Sequence, residues 1–317
     1  MKLSEILSTV QKLISLGKND EVLEYLHENH EEMMKQFSLS KQSIDIMHGF
    51  YALYESLGDT KRALEISQRT ISYAKQISNY KLEKLVAMKC DCVRLCMKLD
   101  MSAEAISTLK DIVANYQSVL DSNRNTHIEI LKLLASLYTQ QGNRKESVVW
   151  HQKCIDLIES TNDDFFSTSN ALSFHIDEND AAHLSSLYLG IGADYTRMEE
   201  YEKANEAYQI GYFIAYKVFG KSSEKTLKIE YNMIINELVS SNPQEGYRQL
   251  KLFKPFCIKA LGEDHCLSQT VNQGLLNYSS LDHKTSNTDN GIEDIYTVFL
   301  NGFPVNRNTG DHSPDSL

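Results

Sequence analysis

The chain has 317 residues, 42% of them hydrophobic and 24% charged, proportions of a folded protein that can bury a large core. Its formal net charge of −11 matches a phosphate backbone poorly and speaks against general nucleic-acid binding. Glu5 and Gln11 interrupt the apolar core that a signal peptide needs, and no apolar run of about 18 residues follows, so a soluble cytoplasmic protein with no membrane insertion is expected.

Only four prolines occur, none before Pro243, and glycine is sparse at 14. Period-2 alternation bounded by Asn-Gly or Asp-Gly turns is missing, so helices are expected throughout and strands nowhere. The six cysteines (Cys90, Cys92, Cys96, Cys154, Cys257, Cys266) are scattered rather than framed by loops, as reduced thiols would be.

Residues 3–37 read as a first helix pair turning at Gly17, an N-terminal cap within 1–40. Residues 41–160 hold three further pairs. In the second (44–78), Tyr54 supplies a ring, Gly58 with Asp59 the turn and Ala63 a small contact on the second helix. In the third (84–117), Cys96 replaces the ring, Ala105 keeps the small contact, and Leu109 and Ile112 continue the apolar face. In the fourth (130–158), Ala135, Tyr138 and Gly142 fit, Ser147 stands in for the alanine, and Trp150 lies on the second helix. Residues 161–180 are polar apart from Phe165, Phe166, Leu172 and Phe174 and read as an inserted loop, a surface insertion or a lid.

The sharpest copy is residues 186–216, where Gly192, Tyr195, Ala204 and Tyr208 fall at offsets 0, 3, 12 and 16. Two small residues sit where helices touch, and two rings fill the crevice. From the Gly192 mark, equivalent positions are Val10, Tyr51, Val93, Ala135, Ile234 and Leu276, with steps of 41, 42, 42, 57, 42 and 42 residues. So constant a period signals a solenoid. The pattern resembles a tetratricopeptide repeat, whose unit is about 34 residues. Roughly eight extra residues per unit lengthen its helices by about two turns in all, or 12 Å. The resemblance implies an all-α, right-handed superhelical solenoid of about seven antiparallel helix pairs.

Residues 181–282 hold pairs five to seven and a second resemblance. VFGKSSEKTLKIEYNMI (218–234) and ALGEDHCLSQTVNQGLL (260–276) look like the junctions of kinesin-light-chain-type repeats, which also step by 42 residues. Gly220 and Gly262 match the turn, His265 the histidine and Asn232 an asparagine, whereas Cys266 replaces a proline and Tyr231 an asparagine. No heptad coil precedes them, so kinesin binding through such a coil is not implied. Residues 283–303 read as a linker and a closing helix with Ile292, Ile295, Val298 and Phe299 at helical spacing, and 304–317 as a disordered tail.

Enzymatic signatures are missing. There is no GxxxxGK[ST] loop and no G-x-S-x-G elbow. Cys92 and Cys96 share a helical face but read as core fillers rather than metal ligands, and His27 with His30 as a polar helix end. No catalytic residue, metal or cofactor is expected.

The tetratricopeptide resemblance implies a concave groove lined by the first helix of each pair. Its register points inward His48 and Glu55 in pair two, Arg94 and Lys98 in pair three, Lys132, Ser136, Thr139 and Gln140 in pair four, Arg197 in pair five, and Tyr231 in the more apolar pair six. Arg94, Lys98, Lys132 and Arg197 collect in one stretch of an acidic chain. They suit an acidic or C-terminal carboxylate peptide held by charge-assisted hydrogen bonds, or else pair with acids such as Glu129. The chaperone-type clamp is incomplete, since Lys132 is followed by Ser136 and not by asparagine. The expected function is a non-enzymatic scaffold or adaptor that binds a protein or peptide partner. A subunit of a larger assembly using convex or end faces, and a peptide-responsive sensor, are the alternatives, and the oligomeric state is left open.

Overall fold

A computed structural model describes residues 2–160, 176–240 and 242–282. Local signals repeat along it. The turns of the second to fifth pairs each end the first helix with one residue of positive φ, followed by a backbone N–H that reaches back five residues. Asp59 N–H donates to Tyr54 O (2.9 Å), Met101 to Cys96 O (2.8 Å), Asn143 to Tyr138 O (2.9 Å) and Glu200 to Tyr195 O (3.0 Å). The left-handed position is Gly58 (φ 83°) and Gly142 (φ 76°) in two turns, where a missing Cβ removes the steric penalty. Asp100 (φ 57°) and Glu199 (φ 62°) take the same conformation in the other two. The residue after the glycine caps the second helix: Asp59 accepts from Arg62 N–H (3.1 Å) and Asn143 from Glu146 N–H (3.4 Å).

Such short turns fold helices back on themselves. The pairs are α1 (Leu3–Ser15) with α2 (Asn19–Lys35), α3 (Lys41–Ser56) with α4 (Thr60–Gln76), and α5 (Leu82–Lys98) with α6 (Ser102–Asn115). A short α7 (Gln117–Ser122), which no periodicity announced, precedes α8 (Arg124–Gln140) and α9 (Arg144–Glu159). Then come α10 (Glu178–Arg197) with α11 (Tyr201–Phe219), α12 (Glu224–Val239) with α13 (Pro243–Leu261), and α14 (Cys266–Asp282). Among the described residues there is no strand. Helix α10 begins at Glu178, capped by Asp177, inside the stretch read as a loop through Asp180. Residues 161–175, the closing helix expected at 292–299 and the tail lie outside the described residues.

The chain divides into two compact units, one ending at His127 and the other beginning at Ile128. In the first, α4 packs on α5; in the second, α9 packs on α10, α11 on α12 and α13 on α14. Pair stacked on pair is the all-α solenoid expected. The small positions do what the register asked. Ala63, Ala105, Ser147 and Ala204 are all fully buried. Gly192 passes so close to Tyr208 that a Cβ there would lie 2.4 Å from ring Cε1. In pair six the small residue is Gly246, where a Cβ would lie 2.5 Å from Leu238 Cα. The marks Val10, Tyr51, Val93, Ala135 and Ile234 are buried, while Leu276 is exposed.

Candidate functional site on the first helices

In the first unit the expected site residues converge. Glu55, on the last turn of α3, accepts a two-pronged bond from Arg94 of α5: Nη1 donates to Oε1, and Nη2 to Oε2 at 2.9 Å. Arg94 Nη2 also donates to the Tyr51 hydroxyl oxygen (2.6 Å), and Lys98 Nζ donates to Glu55 Oε1 (2.8 Å). Asp91 stands 3.4 Å from Arg94 Nη2. Planar guanidinium and carboxylate match each other's fork. The Arg94 bonds, helped by Lys98 and Tyr51 and opposed by partial burial, hold the Glu55 carboxyl down at about 2. Tyr51 is pushed well up by burial. His48 is exposed, its ring 5.3 Å from that of Tyr51. Arg94 and Lys98 are thus already neutralised, though Lys98 is half exposed and Glu55 takes only one of its three ammonium donors.

The other two cations belong to the second unit. Lys132 of α8 donates to Glu129 Oε1 (2.8 Å), the acid named as its alternative partner, and lies 3.3 Å from His183 Nδ1. Arg197 ends α10, half-buried. Ser136 and Gln140 are exposed on α8, but Thr139 turns inward. Its hydroxyl donates to Asp194 Oδ2 (3.3 Å) and lies 2.6 Å from the Ser147 hydroxyl. Arg144 Nη1 donates to Asp194 Oδ1 (3.2 Å) and to Thr139 O (2.8 Å).

Asp194 is buried, and desolvation pushes its carboxyl up against the pull of Ser147 and Arg144. His151 is held neutral, its pKa lowered to about 4 by burial. A serine, a histidine and an aspartate meet here without the geometry of a hydrolase. Ser147 Oγ (3.4 Å) and Asp194 Oδ2 (3.9 Å) both approach the same nitrogen, His151 Nδ1, whereas a triad needs them on opposite nitrogens. The cluster braces α8, α9 and α10. The sequence pattern marks Thr139 and Ser147 singly, but not Asp194 or His151, which lie 47 and 4 residues from Ser147.

Tyr231 does not line a groove. It is 3% exposed and packs with Ile235, Leu238 and Val239 in a core closed by Leu250 and Phe253 of α13 and Val271 of α14. Helix α12 packs against α10, α11 and α13, which buries this face.

Glu224, His265 and Cys266 bring three donor atoms within 4.8 Å of one another. Leu267 N–H donates to His265 Nδ1 (3.2 Å), which leaves the proton of a neutral ring on Nε2, and Lys228 sits 2.6 Å from Glu224. The group is set up as a hydrogen-bonded helix start rather than a metal centre. No described helix is long and apolar enough to cross a membrane.

No protein-family model matches the chain, and no curated protein matches it. Among solved structures it is similar to a signal-transduction ATPase with numerous domains and a tetratricopeptide repeat sensor, from Pyrococcus horikoshii. That match has 12% identity over 94% of this chain and 41% of that one, with a TM-score of 0.50. It is also similar to the nearly identical tetratricopeptide-like repeats of a Podosopora anserina kinesin light chain (16% identity, 68% of this chain and 95% of that one, TM-score 0.49). A third similar structure is the quorum sensor NprR of B. thuringiensis (16% identity, 94% of this chain and 80% of that one, TM-score 0.48). At 12% identity the likeness to the first of these is one of fold alone, an all-α solenoid of stacked helix pairs.

Proposed function

We propose that the chain is a non-enzymatic interaction scaffold whose first helices hold a peptide segment of a partner protein, with an acidic side chain or C-terminal carboxylate at the α3–α5 surface. One observation carries this reading: Glu55 serves two cations, Arg94 and Lys98, on a surface open to solvent. A partner carboxylate takes the remaining donors of Lys98 without breaking the Arg94 fork. Lys132 offers a second, separate contact on α8, and Tyr231 is no part of the surface. Segments captured from native extract and resynthesised as free acids and as amides test it. The acids are expected to bind wild type and to lose about ten-fold or more with Lys98→Glu. Binding indifferent both to amidation and to Lys98→Glu overturns it.

A second reading, a subunit of a larger helical assembly, is favoured by Ile210 and Leu252. These stand one repeat apart on the second helices α11 and α13, 38% and 63% exposed, with Tyr216 nearby on α11. Solvent-facing aliphatic side chains at equivalent positions suit an interface between chains. Elution of the native protein only in a large complex on size exclusion, lost with Ile210→Asp and Leu252→Asp together, supports this over the first reading.

A further inference from the structure

Helices α4, α5 and α6 line a solvent-open trough of about 350 Å³ in the first unit, on the side of α5 away from Arg94 and Lys98. Three stripes build it, each stepping about one turn at a time over two turns: Gln68, Ile71 and Lys75 on α4, Glu104, Thr108 and Asp111 on α6, and, running the other way, Cys96, Cys92 and Lys89 on α5. Seven residues of helix span about 10.5 Å, which sets the length of the trough.

Its two ends carry opposite charge. At one, Asp111 sits between the ammonium groups of Lys89 and Lys75, the latter 3.9 Å away, which leaves one positive charge over. Lys89 is 3% exposed. Asp111 accepts one of its three donors, and the Tyr116 ring lies 5.2 Å off. At the other end stands Glu104, which lines the trough together with Cys96. Between them the floor is neutral, since Cys92 and Cys96 are buried and burial pushes the Cys92 thiol up to about 12. Buried lysines are uncommon unless something compensates the lost water, and here the compensation is one carboxylate, Asp111, and the face of the Tyr116 ring.

We propose that this trough binds an extended zwitterion whose carboxylate and ammonium lie about 10 Å apart, the reach of a free tripeptide at roughly 3.3–3.6 Å per residue. The ligand carboxylate meets Lys75 and Lys89, its ammonium meets Glu104, and Ser107 and Thr108 are placed for the backbone between. The site shares no ligand-facing side chain with the α3–α5 surface and stands independently of the function proposed above.

Trialanine is the probe, titrated by calorimetry into the full chain alongside N-acetyl-trialanine and trialanine amide. Wild type is expected to bind one trialanine with a Kd of about 1 mM or tighter, and blocking either end to weaken this about ten-fold, one charge-assisted contact. Glu104→Gln, on the exposed rim, abolishes discrimination against acetylation alone, and Lys75→Met abolishes most of that against amidation alone. Both variants are checked for unchanged helicity and melting. No binding by 10-fold above that concentration, or affinity that ignores both blocks, or the same sensitivity to blocking in both variants as in wild type, overturns the proposal.

Discussion

The Thr196 hydroxyl of α10 donates to Asn236 Oδ1 of α12 over 2.8 Å, joining the first helices of successive pairs where water does not reach. Tyr208 of α11 completes the knot, its hydroxyl 3.1 Å from Thr196 Oγ1, and Asn236 Nδ2 donates to Tyr201 O (3.0 Å). With its hydroxyl replaced by a methyl, Thr196→Val leaves the Asn236 acceptor and the Tyr208 donor buried without partners. A loss of about 1–3 kcal/mol in urea unfolding, largely restored by Thr196→Ser, is the expected outcome.

Gly192 and Gly49 should respond oppositely to alanine. A Cβ on Gly192 meets the Tyr208 ring at 2.4 Å, and that ring is pinned by its hydroxyl and fully enclosed. Gly192→Ala is therefore expected to destabilise by about 1–3 kcal/mol, as overpacked cores do. Gly49, within α3, has nothing within 4 Å of its added Cβ. There the helix propensity of alanine gives a gain of about 0.5–1 kcal/mol. Paired denaturation curves decide, and a gain at both positions contradicts the register.

Asp100 and Glu199 hold the positive φ that Gly58 and Gly142 hold elsewhere. Glycine at either is expected to stabilise by about 1 kcal/mol, with Glu199→Gly gaining more because aspartate tolerates this conformation better. Calorimetric melting checks the order. A loss at both sites would show that their side chains make contacts worth more than the strain.

Acid weakens the fold in two windows. His151 is buried neutral, with its pKa lowered to about 4, so the unfolded chain takes up a proton below its ordinary value near 6.5 before the folded one does. Stability falls as pH drops from about 6.5 to 4. Glu55 is held down at about 2, so its contribution is whole above its ordinary value near 4.5 and is lost as pH falls from there toward 2. His151→Gln should flatten the first limb and Glu55→Gln the second in unfolding free energy followed against pH. Limbs unchanged by both substitutions would contradict the burial and the ion pair.

The helix pairs were legible because a few residue types recur at fixed offsets: Gly58 and Gly142 at turns, Ala63, Ala105 and Ala204 at contacts, Tyr54 and Tyr138 as rings. Helix α7 was not, being six residues without a period of its own. The candidate site was half readable. Pairing of its cations with nearby acids was foreseen as an alternative, but Glu55 was not named as the partner, because Glu55 and Arg94 are 39 residues apart. A repeat of 42 brings just such positions face to face: Glu55 meets Arg94 at one repeat less three, while Tyr51 meets Arg94 and Glu55 meets Lys98 at one repeat plus one. Tyr231 was misplaced because a groove position and a core position share one register mark. The difference lies in the apolar neighbours Ile235, Leu238 and Val239, which call for burial of this face.

The most direct measurement is affinity capture from native cells with wild type, Lys98→Glu and Lys132→Glu as bait, quantified by mass spectrometry, with helicity confirmed by circular dichroism. Capture of one set of partners that falls at least about ten-fold with Lys98→Glu, where a second acid then stands beside Glu55, is the expected result. Undiminished capture by both variants would contradict a scaffold that works through the cations of its first helices.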